Sequence, residues 1–112
     1  MPDVDYELEV LLSLDGLRFQ IAGGYRVKIA VQRVEATRSR PQGIKYSLTL
    51  HEPEGRRIYG HDNAHGMRRQ RPESDHRHVY GGRRLVPYAY RWPVRLLEDF
   101  YAEVEQFYES EV

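Results

Sequence analysis

Apolar and polar residues alternate along most of this chain, and only its last fifth changes period. Tyr6, Leu8 and Val10 alternate with Glu7 and Glu9, and Leu11-Leu12 extends the run. A period of two puts successive side chains on opposite faces, as in a half-buried strand. A first strand is therefore predicted from Tyr6 to Leu12, ended at Asp15-Gly16, a hairpin dipeptide. Leu17, Phe19 and Ile21 alternate with Arg18 and Gln20, and Gly23-Gly24 marks a turn or bulge. Tyr25 to Val34 is the cleanest strand, with Arg26, Lys28 and Gln32 on its polar side. Ile44 to His51 is another, with Ile44, Tyr46, Leu48 and Leu50 together on one side. Glu52-Pro53-Glu54-Gly55 is a turn by composition, after which Arg57 to His61 resumes a strand. Residues 62–75 read as a polar loop. His76 to Tyr80 forms a short strand that ends at Gly81-Gly82.

The C-terminal segment is helical by period. Leu96, Leu97, Phe100, Val104, Phe107 and Tyr108 follow i, i+1, i+4, i+8, i+11, i+12, which is one face of a helix over about 93–110. Pro93 sits where a first-turn proline is tolerated, and Glu98 and Asp99 suit the early turns. The predicted class is α+β: an antiparallel sheet of about five to six strands, strand-rich over 6–90, covered by one long C-terminal helix. Residues 1–112 then make a single domain, consistent with a chain of 112 residues.

Composition sharpens this picture. Nine Tyr, three Phe and one Trp argue for a folded chain. The absence of cysteine excludes a disulfide scaffold and any thiolate-ligated metal. No apolar run approaches the roughly 18 residues of a membrane span, and the acidic start lacks a signal pattern. The expectation is a soluble, cytoplasmic protein. The formal net charge is +0 but the charges are segregated. Residues 1–17 carry five acids and residues 96–112 carry six, with no Lys or Arg in either. All seventeen basic residues lie in 18–95 against six acids there, and fifteen of them are Arg. Arg presents a planar donor fork suited to phosphate. A basic middle between acidic ends points to an anionic partner, or to ends that fold back on it.

Four of the five histidines fall in two polar stretches, Tyr59-Gly60-His61-Asp62-Asn63-Ala64-His65-Gly66 and Asp75-His76-Arg77-His78. On a strand, His76 and His78 share one face while Asp75 and Arg77 share the other. A hairpin-like return between the stretches would bring the imidazoles together. Lys45-Tyr46-Ser47-Leu48, then Asp62-Asn63, then Asp75-His76-Arg77-His78, then Leu96-Leu97-Glu98-Asp99-Phe100 resemble, in that order, the TumE-type toxin family. That family consists of small bacterial and archaeal toxins whose genes are usually paired with a helix-turn-helix antitoxin. The resemblance runs from about Val27 to Val104. The family tends to place Gly-Lys-Gly before the Asp-His-Arg-His unit. Here those positions read Pro72-Glu73-Ser74, preceded by an Arg-rich insert at 68–71.

The resemblance implies a toxin that acts on RNA and is neutralised by such an antitoxin. Metal-independent cleavage needs a base for the 2′-hydroxyl, an acid for the leaving oxygen and cations for the developing charge. The candidate acid/base pair is His76 or His78 with His61 or His65, with Asp75 or Asp62 orienting an imidazole. Lys45, Arg68, Arg69 and Arg77 are candidates to hold phosphate. Tyr46, Tyr59 and Tyr80 are candidates to stack on bases. No cofactor is expected. Zinc held by the four imidazoles is the metal alternative. The plain alternatives are an Asx-type turn at Asp62-Asn63, solvated histidines, and a solvated loop at Arg68-Arg69-Gln70-Arg71. The acidic face of the C-terminal helix either repels nucleic acid or attracts a basic partner. A non-catalytic nucleic-acid or partner-binding module, and a structural homodimer built on an edge strand, are the readings from other classes.

Overall fold

A computed structural model describes residues 4–38, 40–63, 75–79 and 84–111, with side chains for all of these except 4, 78–79, 84–85 and 108–111. The chain opens with helix α1 (Val4–Ser13), where alternation predicts a strand. Leu8 and Leu12 satisfy either period, whereas Leu11 shares their face only in a helix. Leu11 is fully buried, and Leu8 and Leu12 pack beside it. Tyr6, which a strand would bury with Leu8 and Val10, is 67% exposed. Burial therefore follows the helical period, and Asp5 and Glu7 occupy the first turn, where the helix dipole favours acids.

Gly16 reverses the chain after α1 with φ of 86°, a conformation that favours glycine. Its N–H donates to the Ile29 carbonyl at 2.8 Å, and Asp15 Oδ1 accepts from the Val31 N–H at 2.9 Å. Among the described residues six strands follow: β1 (Arg18–Gln20), β2 (Arg26–Arg33), β3 (Ile44–His51), β4 (Arg57–Asp62), β5 (His76–Val79) and β6 (Arg84–Pro87). They pair antiparallel in sequence order, β1 to β6. The sequence does not announce β6, which has two apolar residues beside a proline that is normally confined to edges. It is the edge strand opposite β1.

Helix α2 (Pro93–Glu111) and α1 cover one face of the sheet. Leu96, Phe100 and Val104 of α2 and Leu11 of α1 join Val27, Ile29, Val31, Ile44, Tyr46, Leu48 and Leu50 in the core. The two helices are tied at their ends. Glu7 Oε1 accepts the Val94 N–H at 3.1 Å, which satisfies one of the first-turn donors that an α-helix leaves unpaired. The predicted α+β sheet with a long C-terminal helix stands, with α1 added to it.

Candidate functional site

Register decides which candidate residues meet. Across β4 and β5, His61 pairs with Arg77 and Asp62 pairs with His76. Directly paired residues share a face and neighbours alternate. His61 and Arg77 therefore lie on the helix-covered face, and Asp62 and His76 lie on the other. The expected convergence of His61 with His76 is not formed, and the two imidazoles cannot share one zinc ion.

On the face turned away from the helices, His76 Nε2 lies 2.7 Å from Asp62 Oδ1. The Asp62 and His76 side chains are 8% and 16% exposed, so this is a semi-enclosed pair. Arg57 Nη1 reaches Asp62 Oδ2 at 3.8 Å. Asp62 is the one carboxylate in the six strands. Around it the same face carries exposed Arg18, Arg26 and Lys45 and half-buried Lys28. Pairing of Arg18 with Lys28, of Lys28 with Thr49 and of Thr49 with Gly60 sets one cross-sheet row. Pairing of Ala30 with Ser47, of Ser47 with Asp62 and of Asp62 with His76 sets the next. The His–Asp dyad thus shares its sheet face with four cations on β1 to β3 and with Arg57 of its own strand. Gly60 keeps the rows close, because a Cβ there would meet Leu48 O and Thr49 Cγ2 at 3.0 Å.

The helix-covered face holds a different constellation. His61 is 1% exposed and packs edge-on against Tyr88, with ring centroids 4.5 Å apart, and against Phe100 at 6.0 Å. Its Nε2 meets the Tyr59 hydroxyl at 2.6 Å, and Arg77 Nη1 donates to that hydroxyl at 3.5 Å. Burial first, and the Arg77 charge second, depress the imidazole pKa to about 4. His61 is therefore neutral near pH 7. Burial pushes the Tyr59 phenol up to about 12. A cleft of ≈ 330 Å³ opens beside this group, with Asp99 and Glu103 of α2 on its far wall. Burial alone would raise the Asp99 pKa, but bonds from Tyr88 at 2.6 Å and Arg95 at 3.0 Å hold it below the usual value. Two carboxylates outweigh the one guanidinium lining the cleft, that of Arg77, which lies 3.8 Å from Glu103, so the cleft is unfavourable for phosphate.

Two further candidates hold the sheet together. Asp75 Oδ2 accepts from the Tyr46 hydroxyl at 2.6 Å and from Gln42 Nε2 at 2.9 Å. Burial raises the Asp75 pKa, with those two bonds opposing the shift. Asn63 is fully buried and extends the strand pairing through its side chain. Its Oδ1 accepts the Tyr46 N–H at 3.0 Å, and its Nδ2 donates to the Ile44 carbonyl at 2.8 Å.

The sequence-predicted residues therefore divide. Asp62, His76 and Lys45 share the helix-free face, and His61, Tyr59 and Arg77 share the cleft. Tyr46 and Tyr59 are 1% and 6% exposed, so neither ring offers a surface for a base. Asp75 lies with Tyr46 on the helix side and does not orient His76. His65, Arg68, Arg69, Tyr80 and the side chain of His78 lie outside the described residues. Among the described residues, no three His, Asp or Glu side chains are grouped to hold a metal ion. Arg18, Arg26, Lys28 and Arg57 were not singled out from sequence. For Arg18, Arg26 and Lys28 the alternation of the predicted strands carries the signal, since these polar positions face the same way as Asp62.

The family model described as Toxin TumE matches residues 5–108. Neither the curated proteins nor the solved structures contain a match to the chain. No described helix is long and apolar enough to cross a membrane.

Proposed function

The chain belongs to the TumE toxin family, and from that premise we propose that its helix-free sheet face acts on RNA in the cytoplasm. The observation that carries the reading is the Asp62–His76 pair at 2.7 Å amid Arg18, Arg26, Lys28, Lys45 and Arg57. Donation of the Nε2 proton to Asp62 fixes the tautomer in which Nδ1 is basic. The carboxylate also stabilises the imidazolium once a proton arrives. In this reading Nδ1 takes the 2′-hydroxyl proton and O2′ attacks the adjacent phosphorus. The 5′-oxygen leaves with a proton from an acid, for which His78 is the candidate, and a 2′,3′-cyclic phosphate remains. Lys45 and Arg57 offset charge on the phosphorane-like transition state. With Tyr46 and Tyr59 in the interior, recognition rests on phosphate contacts more than on stacking.

The family implies an antitoxin partner, here taken to be a helix-turn-helix protein. The low exposure of Asp62 and His76 favours a second reading, a structural ion pair within a non-catalytic RNA-binding face. A single experiment separates the two. Purified chain is incubated with a labelled RNA oligonucleotide, with and without chelator, and the products are assayed for cyclic phosphate. Cleavage that survives chelator and disappears in His76→Ala supports the catalytic reading. Salt-sensitive binding without cleavage supports the second. Neither binding nor cleavage, together with normal growth on expression, contradicts both.

A further inference from the structure

The side of the molecule opposite the cationic face carries an unpartnered apolar groove. It runs between the 3-10 turn at Ala22–Gly24 and α2, measures ≈ 660 Å³, and is lined by Ile21, Ala22, Tyr101 and Val104. Glu98 and Glu105 line it from α2. Tyr101 is 37% exposed, although its neighbour Phe100 is fully buried. Phe19, also 37% exposed, pairs with buried Val27 and so shares the helix-covered face with Ile21. The apolar strip therefore continues from α2 onto β1, the three-residue edge strand of the sheet. A contiguous apolar strip at a polar rim marks an interaction surface more often than chance exposure does.

Charge selects the occupant. Helix α2 carries one basic residue, Arg95, against six acids. The negative end of its dipole adds to theirs. Nucleic acid is repelled here, and a second copy would place acid against acid. We propose that this groove is where the antitoxin of the family pairing docks, through a segment that is apolar on one side and carries Lys or Arg on its flanks. Tyr101 is the central anchor, an amphipathic ring set in an apolar patch of the kind that dominates interfaces. Glu98 and Glu105 steer and register the basic flanks. The inference rests on family membership and is independent of whether the opposite face cleaves RNA.

The test uses the antitoxin encoded beside this chain's gene, purified and titrated into the full chain by calorimetry at low and high salt. Tyr101→Ala weakens binding by about tenfold or more, the effect of losing an interface anchor. The double variant Glu98→Lys/Glu105→Lys does the same and flattens the salt dependence. Arg26→Glu, on the opposite face, leaves affinity within about twofold, as for a site with no shared partner. These substitutions are at surface positions, and circular dichroism verifies that each variant is folded. Unchanged affinity in both groove variants overturns the proposal, as does a loss confined to Arg26→Glu. Groove variants that convert a dimer to a monomer while antitoxin affinity stands assign the groove to a second copy and overturn it equally.

Discussion

Lowering the pH from 7 to 4 costs this protein stability through His61. The imidazole is 1% exposed within an aromatic cage, and its pKa is lowered to about 4. In the unfolded chain a histidine titrates near 6.5. Above pH 6.5 both states are neutral at this residue and it contributes no pH dependence. Between 6.5 and 4 the unfolded state binds a proton that the folded state refuses, so stability falls with pH. Each pH unit is worth about 1.4 kcal/mol, and the window of some 2.5 units yields about 3 kcal/mol. That is a large part of the 5–15 kcal/mol expected of a small domain. Asp75 works against it in the lower part of the window. Its raised pKa means the folded state takes up a proton before the unfolded state does. Urea unfolding at pH 7, 6, 5 and 4.5, compared between the native chain and His61→Gln, isolates the imidazole. The variant is neutral throughout, so its stability declines less steeply, whatever its stability at pH 7. Equal slopes in the two proteins would refute the argument, as would an NMR titration of His61 centred near 6.5.

Three other outcomes are expected. Asn63→Ala strands the Tyr46 N–H and the Ile44 carbonyl, and at about 1–3 kcal/mol for each buried unpaired group it lowers the urea midpoint substantially, whereas Asn63→Asp recovers only the first bond. Phe100→Ala removes a fully buried ring at the centre of the α2 contact and costs about 3–5 kcal/mol in thermal or urea unfolding. Asp62→Asn, which leaves His76 with the wrong hydrogen-bond partner at 2.7 Å, slows RNA cleavage by about 100-fold or more with little change in RNA affinity, as read from rate and binding assays on the same oligonucleotide.

Much of the fold is legible in the pattern of the chain, and the exceptions have physical causes. Strands β2 and β3 show because one side of each is apolar, save for Arg33 at the end of β2, and α2 shows because its stripe keeps helical period over three turns. Helix α1 is hidden because Tyr6, Leu8 and Val10 alternate with Glu7 and Glu9, and this outweighs the i, i+3, i+4 spacing of Leu8, Leu11 and Leu12; the burial of Leu11 and the exposure of Tyr6 decide for the helix. Strand β6 is hidden because four residues with a terminal proline carry too few apolar positions. The site was half legible. Asp62 and His76 stand out by composition, but their pairing depends on a register between two strands separated by residues 63–75. The burial of His61 had a signal that composition masked. Tyr59 and His61 alternate with Gly60 and Asp62, so any arrangement that buries Tyr59 buries His61 as well. Asn63 offered no such signal, because its role rests on the backbone of a neighbouring strand.

The central claim is that RNA engages the helix-free face and not the helix-side cleft. Affinity for a labelled single-stranded RNA, measured against salt for Arg26→Glu/Lys45→Glu and for Glu103→Gln, tests it most directly. The face variant should bind at least about tenfold more weakly, with a shallower salt dependence, because phosphate contacts release counterions in proportion to their number. The cleft variant should bind as the native chain does. Native affinity in the face variant, with a change confined to Glu103→Gln, would contradict the account.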